Sequence, residues 1–147
     1  MSAQPMRASA QPRRIGRSIA ALLAGFAVGI VLSLATDAAL RAADIFPPQG
    51  EPMWSSTLLA LATAYRTLYS VMSSYVIARL APNRPMGHAL VGGFIGLAVN
   101  IAAVAATWNA GLGPHWYPIS LAVVALPTAW AGGKLRVMQL PPRASAV

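Results

Sequence analysis

Residues 54–80 read WSSTLLALATAYRTLYSVMSSYVIARL. As a helix the stretch is long enough to cross a bilayer, for which about 20 predominantly apolar residues suffice. It nevertheless carries an arginine, Arg66, at membrane depth. Thr63, Arg66, Thr67, Ser70, Ser73 and Ser74 follow the spacing of one helix face, which predicts a polar stripe. A charge inside a spanning helix is costly and calls for a partner or a wet cavity. Trp54 suits an interfacial anchor at one end of the span, and Arg79 closes it at the opposite surface.

The rest of the chain agrees with a membrane setting. Of its 147 residues 56% are hydrophobic and only 10% charged, and the mean hydropathy is +0.57. A soluble domain carries about a quarter charged residues. The net charge is +8, from 11 Lys and Arg against the acids Asp37, Asp44 and Glu51. These cations sit at the ends of apolar runs rather than on a soluble module. That points to membrane orientation and anionic headgroups, and away from nucleic acid. With no cysteine, a disulfide framework and a Cys-based metal or redox site are excluded.

Upstream, residues 1–16 are polar and basic and are predicted to be a disordered tail. The apolar run Ser18–Ala35 has the basic flank and small residues of a signal peptide. Two features favour a retained helix. The run continues as helix-compatible sequence to about residue 43. In addition, Ala21, Gly25, Gly29, Ser33, Asp37 and Arg41 recur every four residues. Such a small-residue stripe lets another helix approach closely. Pro47, Pro48 and Pro52 break the chain before Trp54.

Downstream, Pro82 and Pro85 separate the second span from a third at about 87–108, with its own stripe of His88, Gly92, Gly96 and Asn100. Asn100 offers a hydrogen bond across helices. The fourth span, 116–133, opens with the interfacial pair Trp116 and Tyr117. It contains Pro127, expected to kink it, and is expected to end at Gly132, Gly133 and Lys134. Residues 135–147 are predicted to be a second short tail.

The predicted fold is therefore an all-α membrane protein, an antiparallel bundle of four transmembrane helices at about 18–43, 54–80, 87–108 and 116–133. It occupies residues 17–134 and follows a disordered basic N-terminal tail. Four spans place both termini on one side. Every cation except Arg41 and Arg66 falls on that side, so the positive-inside rule predicts cytoplasmic termini and a cell (inner) membrane location.

Arg66 lies roughly 18 Å down the second helix from Trp54, near the middle of a ~30 Å hydrocarbon core. Asp37 lies about 10 Å below the end of the first helix. Side chains lean toward the N-terminus of their own helix, so in antiparallel neighbours these two lean toward each other. An Asp37–Arg66 ion pair is predicted, direct or through water, with Tyr65 and Tyr69 as further hydroxyl partners. The intramembrane polar cluster thus comprises Asp37, Thr63, Tyr65, Arg66, Thr67, Tyr69, Ser70 and Asn100. The packing set is Gly25, Gly29, Ser33, Gly92 and Gly96. The cluster fixes helix register, lines a polar pathway, or meets another subunit.

His88 and His115 fall on opposite sides of the membrane and cannot share a metal. No nucleophile–base pair and no converging carboxylates appear, so neither an enzyme nor a cofactor is expected. The runs ATAYRTLYSVMSSYVIARLAPNRPMGHAL (62–90) and ATWNAGLGPHWYPISLAVVALPTAWAGG (106–133) resemble a pattern in uncharacterised small bacterial four-transmembrane-helix proteins of no established function. The resemblance covers about residues 20–134. It implies four spanning helices and no activity. In size the chain also invites comparison with small multidrug exporters and fluoride channels. It departs from both in lacking a mid-membrane glutamate in the first span and in its strong charge bias. The leading expectation is a non-enzymatic accessory or assembly protein with the lipid bilayer, a membrane-protein partner or a second copy as its contacts. The alternative is a small oligomeric transporter or channel with Arg66 on a polar pathway.

Overall fold

The computed structural model of the chain describes residues 14–141. These form four α-helices and, among the described residues, no strand: α1 (Ile15–Ala42), α2 (Ser56–Leu80), α3 (Pro85–Thr107) and α4 (Trp116–Met138). Most of the expected N-terminal tail (1–13) and the end of the C-terminal tail (142–147) lie outside the described residues.

Local chemistry sets each helix end. α1 begins at Ile15, so the last two residues assigned to the basic tail belong to the helix. It stops in a left-handed turn at Asp44 (φ 55°). There the Asp44 and Ile45 amides donate to the carbonyls of Arg41 and Leu40 at 3.0 and 2.9 Å, the paired bonds that close many helix C-termini. The Ser55 hydroxyl caps α2 by accepting from the Leu58 amide at 3.4 Å. Pro82 then bars the backbone from continuing. α3 starts at Pro85, two residues before the expected boundary, because proline fits the first helical turn.

α4 differs most from expectation. It continues to Met138 instead of ending at Gly132–Gly133. The two glycines are mid-helix because neighbours press on them. A Cβ at Gly132 would lie 2.5 Å from the Val71 carbonyl oxygen, and one at Gly133 would lie 2.8 Å from the Met86 sulfur. The helix also passes through Pro127. Beside it, the Thr128 hydroxyl donates to the Val124 and Ala125 carbonyls at 2.8 and 3.0 Å.

Two of the helices, α1 and α3, are long and apolar enough to cross a membrane. α2 and α4 carry Arg66 and Arg79, and Lys134 and Arg136, within their length. α1 faces α2 with Gly25 against Ile77, Gly29 against Ser73, and Asp37 against Arg66. α3 faces α4 with Gly93 against Ala129, and Ala89 against Gly133. α2 also packs along α4, where Gly132 meets Ser74 and the Tyr75 hydroxyl donates to Gln139 Oε1 at 2.8 Å. The centre of the packing is Ile77, only 1% exposed, seated between Gly25 and Gly92. α1 meets α3 sparsely. Their contact is near the start of both helices, where Leu22 approaches Gly92 and His88 Nε2 lies 2.9 Å from the Ser18 hydroxyl.

Candidate functional site

Asp37 projects from α1 against the middle of α2. Arg66 Nη2 donates to its Oδ2 at 2.5 Å, and the Tyr65 hydroxyl donates to its Oδ1. Both carboxylate oxygens are therefore engaged, and the aspartate is 5% exposed. Burial of a charge on these terms requires such partners. Arg66 is less enclosed: its side chain is 33% exposed, while its Nε is buried without a partner. One turn further along α2, the Tyr69 hydroxyl shares a 2.9 Å hydrogen bond with Thr36 of α1. The Tyr65 and Tyr69 rings are 5.7 Å apart. This cluster fastens α1 to α2 by polar bonds on one side of the Gly25–Gly29–Ile77 contact.

The other residues of the predicted stripe have different roles. Thr63, Thr67 and Ser70 turn their hydroxyls back onto α2, donating to the carbonyls of Leu59, Thr63 and Arg66 at 2.9, 2.7 and 2.8 Å. They satisfy themselves and do not join the ion pair. Ser73 does cross between helices and donates to the Gly25 carbonyl at 2.7 Å. The cross-helix bond expected of Asn100 is absent. Its amide donates to Gly96 O of its own helix at 2.9 Å. The reason is the separation of α1 from α3 at this level, which also leaves nothing within 4 Å of a Cβ at Gly96.

That separation forms a cleft of about 620 Å³. Phe26, Ile30, Ser33 and Leu34 of α1 form one wall, and Ile95, Gly96, Val99 and Asn100 of α3 the other. Arg66, Tyr69, Ser70 and Ser73 of α2 lie at its floor. Of the small-residue packing set, Gly25, Gly29 and Gly92 have neighbours at the helix contacts, whereas Ser33 and Gly96 border the cleft.

One residue of the cluster is not apparent from spacing. Tyr117 reads as an interfacial aromatic beside Trp116, yet it lies near enough to Arg66 and Asp37 to feel both charges. Only the packing of α4 along α2 brings positions 66 and 117 together. The histidines are far apart, His88 against Ser18 and His115 stacked on Trp108 with ring centres 4.1 Å apart. No protein-family model, no curated protein and no solved structure matches the chain.

Proposed function

We propose that this is a multi-pass integral protein of the cell inner membrane, with four spanning helices in an antiparallel bundle and both termini in the cytoplasm. It acts as a non-enzymatic accessory or assembly protein. Support for the orientation comes from charge. Arg14, Arg17, Arg79, Arg84, Lys134 and Arg136 gather at the end where α1 and α3 begin and α2 and α4 finish. Trp54, Trp108 and Trp116 mark the other end, where the Met53 amide donates to Leu112 O at 2.8 Å and ties the two loops together. Positive charge favours the cytoplasmic side, and tryptophan favours the interface.

The observation that carries the accessory reading is the engagement of both Asp37 oxygens by Arg66 and Tyr65. The intramembrane charge is spent on holding helices together. Purification from native membrane in mild detergent tests this. A second membrane protein at fixed ratio is the expected result, and a clean homo-oligomer alone counts against it.

A second reading, a small oligomeric transporter or channel, has its own support in the exposed third of Arg66 on the cleft floor. Solute flux in liposomes that disappears in Arg66→Gln, with the protein still inserted, would favour it.

A further inference from the structure

We propose that the cleft between α1 and α3 binds an uncharged, lipid-soluble molecule of the isoprenoid-quinone class, with its carbonyl-bearing head at Arg66 and its apolar tail along the cleft walls. The inference needs the chain to lie in a bilayer, and it is independent of which functional reading holds.

Size is the first argument. A volume of about 620 Å³ is typical of small-molecule sites, which run from about 300 to 1,000 Å³. A ring with a short run of tail fits within it.

Charge is the second. Asp37 and Arg66 cancel, so a charged head beside them would leave an uncompensated charge inside the membrane, which is costly. Donors are in surplus, however. An arginine has five N–H donors, and the side-chain bond of Arg66 among the described residues goes to Asp37 alone. The matching head is neutral and accepts hydrogen bonds.

Depth is the third. Arg66 sits near the middle of α2, far from either end. The phosphates and esters of ordinary membrane lipids stay at the edges of the ~30 Å core. A head that reaches Arg66 must travel within the hydrocarbon, as a quinone ring does. Phe26 and Tyr69 offer aromatic surface beside it, and Ile30, Ile95 and Val99 offer apolar wall to the tail.

The test uses the full chain in phosphatidylcholine nanodiscs and a photoreactive benzoquinone with a short alkyl tail. Saturable labelling of α1 and α3 peptides is expected, with competition by unlabelled benzoquinone. Gly96→Leu should abolish it, because the new side chain grows into open space and leaves the helix contacts intact. Ser33→Leu blocks the opposite wall and serves as the second variant should the first fail to fold. Labelling unchanged in natively melting variants overturns the proposal. So does labelling that rises without saturation and is not competed by unlabelled benzoquinone, the result expected where acyl chains alone fill the cleft. Equal displacement by palmitate overturns the neutral-head assignment. A chain that does not co-elute with the discs refutes the membrane reading itself, which is a separate result.

Discussion

Asp37 has two acceptor oxygens and both are used; Arg66 has donors to spare. This imbalance makes the two residues unequal under mutation. Arg66→Leu strands a buried carboxylate and is expected to cost roughly 1–3 kcal/mol. That is below the value for fully enclosed pairs because the arginine is a third exposed. The double variant Arg66→Leu with Asp37→Leu removes both charges and should melt above the single one in the same detergent. A double variant melting at or below the single one would refute the pairing. Tyr65→Phe removes one of two bonds to Asp37 and should lower stability by about 1 kcal/mol. The contact is legible in the sequence because α1 and α2 are consecutive antiparallel neighbours, so that the side chains of Asp37 and Arg66 lean toward each other. Asn100 was not legible in this way. Its expected partner depends on how far α1 stands from α3, and no residue spacing encodes that distance.

Among the helices, the glycines divide by what faces them. Gly132 is enclosed: an added Cβ would meet Val71 O at 2.5 Å and the Tyr75 amide nitrogen at 2.7 Å. Both are backbone atoms, so α2 and α4 would have to separate. Gly96 faces open space. Gly132→Ala should therefore destabilise by about 1–3 kcal/mol, while Gly96→Ala should be neutral or gain up to about 1 kcal/mol from helix propensity. Thermal melting of the two variants side by side checks the contrast. Equal effects would mean that α3 is covered where it borders the cleft. The four-residue periodicity marks both α1 and α3 as small-residue faces, but it cannot say which part of a face is used. The same limit explains the misplaced end of α4. Gly-Gly before a lysine has the look of a terminus, and only the approach of Val71 and Met86 accounts for glycine there within a helix.

For the whole molecule, two of the four helices, α1 and α3, pass as spans by length and apolarity; α2 packs against both and against α4, which also packs against α3. α2 turns Arg66 toward α1, where the Asp37 carboxylate offsets its charge and also accepts from Tyr65 of α2. In that arrangement the outward surface is still apolar, with Leu61, Leu68 and Met72 of α2 and Val123 and Trp130 of α4 exposed. A soluble bundle would turn such residues inward, so the exposed set agrees with the proposed membrane setting of α2 and α4 despite their polar content. The proposed four crossings carry a topology with them: the C-terminus lies on the side of the N-terminus, and by the positive-inside rule the cations at the α2–α3 turn and the end of α4 assign that side to the cytoplasm. A C-terminal fusion to a reporter active only in the cytoplasm should therefore be active. A reporter active only outside should be silent, and a fusion in the loop between α1 and α2 should give the reverse pattern. Replacing Arg79, Arg84, Lys134 and Arg136 with glutamine should weaken the bias and yield a mixed population. If the C-terminal fusion is stably made yet reports an outside location, the proposed orientation is refuted: a loop fusion that then reports inside means an inverted four-crossing bundle, and one that also reports outside means an odd number of crossings, with α2 or α4 lying on the membrane rather than through it.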